Sequence, residues 1–183
     1  GQYGLSKVLH LEGAEFDNFD ANVYGNAIAE VATANGADTL IVSGTFNGKA
    51  LAPALSIQSD AALLTNVVAL PESSSPFSVK RGVYSGKGFN ILNTEATKRI
   101  IVFVPNSLGP EAGEGTAAVE SVSAGTGNIK AVNVQEVDRV KGKIPLPEAE
   151  RVVSGGRGLK GPENWGMLEE LAEVLDAGTA CSK

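Results

Sequence analysis

Two short apolar runs constrain this chain more than any other feature. Thr39–Ser43 (TLIVS) and Arg99–Val104 (RIIVFV) carry almost nothing but aliphatic and aromatic side chains between their first and last residues. Runs this short read as strands rather than helices. The continuous character of Thr39–Ser43 reads as a strand buried on both faces, as in a parallel sheet covered by helices. A helical pattern precedes it. Asp20 is a plausible N-cap, Val23, Ala27, Ile28 and Val31 share one face, and Asn35-Gly36 supplies the left-handed stop. Ser6–Leu11 (SKVLHL) reads as a strand before that helix. Helical spacing resumes over Lys49–Ser59, with Pro53 expected near its first turn.

The opening part of the chain therefore reads β-α-β-α, the order that builds a mostly parallel, Rossmann-like sheet. Val67–Leu70 adds a short strand. Phe77–Tyr84 and Gly88–Glu95, joined by Ser85-Gly86-Lys87, read as a β-hairpin insertion whose polar face carries Lys80, Arg81 and Lys87, with a role in partner docking as the functional alternative. Pro105–Gly127 reads mostly as loop and Ile129–Val140 as a strand. Gly142–Glu148, with Pro145 and Pro147, reads as a linker. The expected domains are 1–148, including that linker, and 149–183, where a new β-α unit begins.

Composition narrows the function classes. With 15 basic and 21 acidic residues the net charge is −6, which argues against broad contact with nucleic-acid phosphates. No stretch approaches the roughly 20 apolar residues of a membrane span. No basic-then-apolar signal opens the chain; the expected compartment is the bacterial cytoplasm, or the mitochondrial matrix if the source is eukaryotic. The single cysteine, Cys181, has no internal disulfide partner and reads as a small buried residue. The single histidine, His10, lies in an apolar strand and reads as structural. Glu12, Glu15, Asp17 and Asp20 read as a solvated acidic loop, and no Cys/His set has metal-ligand spacing.

The segment Val152–Trp165 (VVSGGRGLKGPENW) carries the chemistry. A short strand ends in Gly155-Gly156, Gly158 follows Arg157, and Pro162-Glu163 stand where a helix is expected to start. Glycines let backbone N–H groups face an anion, a helix start adds positive potential, and an arginine grips phosphate in bidentate fashion. Arg157 and Lys160 supply a local basic pocket in an acidic chain. The segment is neither a GxGxxG fingerprint nor a P-loop. The structural alternative is a tight β-to-α connection with a solvated arginine.

The longer string VVSGGRGLKGPENWGMLEELAEVL, followed by GTACSK, resembles the start of the flavin-binding domain in the alpha subunit of electron transfer flavoproteins. Upstream, ADTLIVSGTFNGKALAPALS, NVVALP, FSVKRGVYSGKGFN and GEGTAAVESV resemble that family's N-terminal domain. The resemblance covers essentially the whole chain and leaves parts of the family's alpha subunit unmatched at both ends, including the first βαβα portion and most of the flavin-binding domain. The fold it implies is a Rossmann-like sheet with a hairpin, then the first β-α-β of a second, flavodoxin-like FAD-binding domain.

The resemblance also implies a function. Such a subunit binds FAD with a beta subunit and shuttles electrons from dehydrogenases, such as the acyl-CoA dehydrogenases of fatty acid beta-oxidation, to a quinone oxidoreductase. It is an electron carrier rather than a self-contained enzyme, with neither nucleic-acid contact nor direct membrane insertion. Carried over residue by residue, Arg157 contacts the FAD diphosphate, with Gly156 and Gly158 beside it, and Ser182 also binds FAD. Lys183 stands where many members have arginine near the flavin ring; it keeps the charge and loses the planar stacking. Two other functions remain open: a cofactor-free platform for the beta subunit, and an adenine-nucleotide-binding α/β domain.

Overall fold

The computed structural model describes residues 3–125, 132–137, 146 and 149–181. The chain divides into two compact units, Gly1–Gln135 and Glu136–Lys183.

The first unit begins with β1 (Lys7–Leu11), α1 (Ala21–Ala34), β2 (Thr39–Ser43), α2 (Phe46–Ser59) and β3 (Ala62–Val67). The short β4 (Ser73–Ser74) and the hairpin β5 (Phe77–Val83) and β6 (Gly88–Thr94) follow, then β7 (Arg99–Phe103) and β8 (Ala118–Val122). Six strands share one sheet. β7 lies between β2 and β3 and runs parallel to both, while β3, β4 and β6 each run antiparallel to β5. β1 and β8 form a separate parallel pair.

Alternation along β7 builds two cores. Ile100 and Val102 pack under Ala29, Ala52 and Leu55 of the helices. Ile101, on the other face, packs with Leu64, Val67 and Val79. A chain poor in aromatics fills the first core by close approach. A β-carbon at Gly25 of α1 would lie 3.2 Å from the Leu55 backbone nitrogen of α2, so the two helices meet through small residues.

The helix boundaries follow local chemistry. The Asp20 carboxylate accepts from the N–H groups of Asn22 (2.8 Å) and Val23 (3.3 Å), capping α1 as expected. Its second oxygen accepts from the Val132 N–H at 2.9 Å, tying a distant segment to the same cap. The Val132 bond is the largest cause holding the Asp20 carboxyl below its ordinary value; burial opposes it, and the two cap bonds add to it. The folded state thus binds this proton more weakly than the unfolded chain. The stabilisation is complete above the unfolded carboxylate pKa and is lost as pH falls through the lower folded value. Asp20→Ala is expected to cost about 1 kcal/mol at neutral pH. Asp20→Asn is expected to keep most of the cap and flatten the loss of stability in acid. Urea unfolding at pH 7 and at acid pH checks both.

Several expectations are corrected. β2 is not buried on both faces: among the described residues it pairs only β7, and Ile41 is 68% exposed. α2 starts at Phe46 because the Thr45 hydroxyl accepts from the Gly48 N–H at 3.2 Å, which places Pro53 inside the helix rather than in its first turn. The strand expected at Val67–Leu70 is β3, which starts at Ala62; its pairing with β7 is set by Ala62↔Arg99, and beyond Val67 the chain turns to β5. Residues 105–125 are mostly loop, as expected, and also hold β8, which forms against the sequence-distant β1. Residues 132–137 carry no strand. The rest of Ile129–Val140 except Val132–Val137, and the linker Gly142–Glu148 apart from Leu146, lie outside the described residues. His10 is exposed rather than enclosed, its Nδ1 3.1 Å from a Glu12 carboxylate oxygen.

The second unit is a β-α-β turn: β9 (Val152–Gly155), α3 (Gly166–Leu175) and β10 (Gly178–Cys181). β9 and β10 are parallel, in register from Val152↔Gly178 to Gly155↔Cys181. Arg151 donates to the Leu175 carbonyl at 3.1 Å, closing the end of α3. Among the described residues of both units, no helix is long and apolar enough to cross a membrane.

Candidate functional site

The connection from β9 to α3 is longer and more ordered than a simple turn. Two 3-10 turns, Arg157–Leu159 and Pro162–Asn164, stand between strand and helix. The helix expected to open at Pro162 therefore starts at Gly166, because proline, glutamate and asparagine close a separate turn first. The N–H groups of Leu159, Lys160, Gly161, Asn164 and Trp165 are all spent on carbonyls within the segment. The N–H groups of Arg157 and Gly158 open the first turn, the position where a helical turn leaves donors for an outside acceptor. Asn164 donates from its amide to the Leu159 carbonyl at 2.7 Å and clips the two turns together.

The glycines play different roles. Gly155 is buried, and a β-carbon there would lie 2.8 Å from Trp165 and would also overlap Leu159 and Leu168. It is a packing glycine that lets the strand meet the turn and α3. Gly156 has extended backbone with φ −121° and lines a cleft. Gly158 has nothing within 4 Å of its β-carbon position, so packing does not require a glycine there, and it is not among the residues lining that cleft. The strained position is Lys160, at φ 65° and ψ −30°, a conformation a lysine does not adopt unless its surroundings impose it.

Between the turns and the end of β10 lies a cleft of about 320 Å³, lined by Gly155, Gly156, Arg157, Leu159, Lys160, Gly161, Pro162, Trp165 and Cys181. The structure thus gathers two of the five residues singled out from the sequence, Gly156 and Arg157. It also brings Lys160 beside Arg157, as the expected basic pocket requires, and adds Trp165 and Cys181. Cys181 is exposed at the cleft, not buried as its residue type predicts, because among the described residues β10 pairs only with β9. Ser182 and Lys183 lie outside the described residues. Trp165 and Cys181 were missed because nothing local in the sequence signals a cleft between a strand end and a helix start; the parallel register of β9 and β10 creates it.

The donor set suits a diphosphate: one guanidinium, one ammonium and turn N–H groups, with the Glu163 carboxylate lying back against Gly161. At about 320 Å³ the cleft stands at the small end of the range of about 300 to 1,000 Å³ seen for small-molecule sites.

The family model described as Electron transfer flavoprotein domain matches residues 1–135. The chain belongs to the electron transfer flavoprotein family. A second model, Electron transfer flavoprotein FAD-binding domain, matches residues 145–183, so part of a FAD-binding domain is present and the cleft lies inside it. Curated relatives agree along the whole chain. Electron transfer flavoprotein subunit alpha of Bacillus subtilis is 27% identical over 99% of this chain and 56% of its own length. The subunit of the same name from Pseudomonas aeruginosa is 29% identical over 98% of this chain and 57% of its own length. A lactate dehydrogenase (NAD(+),ferredoxin) subunit, LctC, of Acetobacterium woodii is 26% identical over 100% of this chain and 45% of its own length. The chain resembles the alpha subunit throughout and spans about half the length of the curated relatives it matches.

Proposed function

We propose that the protein to which this chain belongs is an electron carrier that holds FAD together with a beta subunit, and that Gly156, Arg157 and the turn N–H groups bind the FAD diphosphate. The single observation that carries this reading is the cleft beside Arg157 and Lys160, lying within the segment that matches the FAD-binding domain. Ser182, Lys183 and Gly158 belong to the same proposed site. The redox chemistry is the flavin's; the polypeptide binds it, orients it and sets the charge around it. On this reading the domain boundary falls near residue 148, dehydrogenases such as acyl-CoA dehydrogenases supply electrons, a quinone oxidoreductase receives them, and the carrier works in the bacterial cytoplasm or the mitochondrial matrix. The relative named as a subunit of a lactate dehydrogenase supports a family in which the electron donor varies around a shared flavin-binding part.

The test is the visible absorbance of the protein purified with its beta subunit from the full-length gene. The two bands of an oxidised flavin are expected. A colourless, correctly assembled preparation that does not take up added FAD would sink the carrier reading. The 183-residue chain alone is expected to bind FAD weakly, because a pocket normally buries most of its ligand and this cleft is at the small end of ligand sites.

A further inference from the structure

Among the described residues, β2, β6 and the two-residue β4 each pair with one strand of the six-stranded sheet and so form its edges. Exposed edges are normally guarded by charge, proline, a bulge or shortness, because their free backbone groups invite another strand. β6 has none of these guards. It runs seven residues, GFNILNT, without charge or proline, and stays in unbroken register with β5 from Gly88↔Val83 to Thr94↔Phe77. Alternation places Phe89 and Ile91 on one face together with Lys80, which lies directly across from Ile91. Phe89 is 58% exposed and Ile91 49%. The Lys80 ammonium lies over the Phe89 ring, 4.7 Å from its centroid, so the cation sits on this same face.

Charge says what would pair there. From Phe77 to Thr94 the hairpin holds Lys80, Arg81 and Lys87 and no acidic residue, in a chain of net charge −6. The flanking acids, Glu72 and Glu95, lie at the base of the hairpin: the Glu72 N–H donates to the Ser78 carbonyl, and Glu95 follows Thr94. At the other end Tyr84, Ser85 and Gly86 are all left-handed, with φ of 52°, 56° and 83°, and hold Tyr84 outward at 83% exposure. β2, the opposite edge, carries no comparable charge pattern from which to read an occupant.

We infer that the β6 edge docks an extended acidic segment of a partner protein, added to the sheet as a further strand. Backbone donors and acceptors along β6 supply the affinity, Phe89 and Ile91 take apolar side chains from alternate positions, and Lys80 and Lys87 select carboxylates. A second copy of the chain fits poorly, since pairing β6 with itself brings together two hairpins of like charge. A membrane surface suits the basic and apolar groups but leaves the strand edge without a partner.

The probes are two short capped peptides, one alternating valine with aspartate and the other valine with lysine, titrated into the full chain while its backbone amides are followed by NMR. The aspartate peptide is expected to shift the β6 amides and saturate; the lysine peptide is not. The double variant Lys80→Glu, Lys87→Glu is expected to weaken the aspartate peptide about tenfold or more and to gain binding of the lysine peptide. Its unchanged hairpin amide pattern shows that the fold survives. Ile91→Asp is expected to abolish the effect. Equal binding of both peptides, or no movement of β6 amides at millimolar peptide, overturns the inference. So does a concentration-dependent dimer that protects β6, or β6 shifts caused by anionic lipid vesicles and not by the peptide. None of these outcomes depends on FAD.

Discussion

Gly48→Ala is expected to destabilise the first unit by about 3 kcal/mol, lowering its melting temperature by roughly 10 °C. Two effects oppose each other. Alanine is the better helix former by about 1 kcal/mol, and Gly48 lies in the first turn of α2. Yet the added β-carbon would overlap the Ser43 carbonyl oxygen at the end of β2 and lie 3.0 Å from Val42 Cγ1. The obstacle is backbone, so no side chain can swing away. Either α2 lifts off the sheet or β2 bends, and both disturb the core in which Ala52 and Leu55 meet Ile100 and Val102. The sign is therefore decided by overlap and not by propensity. Gly166→Ala, at the first position of α3 with nothing within 4 Å of its β-carbon, is the contrasting case and is expected to be neutral or mildly stabilising. Thermal and urea unfolding of the two variants beside the parent checks the pair; a Gly48→Ala variant as stable as the parent would show that α2 is not pressed on β2 as described.

The same contrast explains how much of the fold could be read beforehand. Elements set by local chemistry were legible. Asp20 caps α1, Gly36 ends it at φ 65°, and the hairpin β5–β6 turns where Ser85-Gly86-Lys87 predict. Elements set by distant partners were not. Nothing in AVESV reveals that it pairs in parallel with KVLHL more than a hundred residues earlier. The exposed face of β2 was equally hidden, because an apolar run looks the same whether one of its faces is covered or both. α2 starts earlier than Lys49 for a smaller reason: Phe46 to Gly48 look like the end of a glycine-bearing loop until the Thr45 hydroxyl is seen to cap the helix three residues before Gly48.

At the site, residue type and spacing located the phosphate loop but not its division of labour. From sequence, the glycines of Gly155-Gly156-Arg157-Gly158 share one role, letting backbone N–H groups face an anion. In the structure Gly155 is locked by Leu159, Leu168 and Trp165, while Gly158 meets nothing. The positive-φ residue is not a glycine at all but Lys160. Turn geometry, absent from composition, places Lys160 beside Arg157 at the cleft.

Arg157→Ala, in the full-length protein assembled with its beta subunit, is expected to weaken FAD binding by about 1.5–3 kcal/mol, roughly 10- to 150-fold. Arg157 is exposed at the rim of the cleft, so its truncation is expected to leave stability within about 0.5 kcal/mol of the parent. Binding and folding can therefore be separated: flavin release on dilution, measured by its fluorescence, should change while the melting curve of the apoprotein does not. Arg157→Lys tests the geometry. It keeps the charge and loses the planar fork, so an intermediate affinity is expected if two phosphate oxygens are gripped together. Full recovery with lysine would mean that charge alone matters there. Lys160→Ala is expected to cost less, because an ammonium is a point charge without the bidentate fit and its left-handed backbone remains strained with either side chain. FAD retention unchanged by Arg157→Ala would remove the diphosphate contact from Arg157, and the connection from β9 to α3 would then be an ordinary strand-to-helix joint shaped by Gly155.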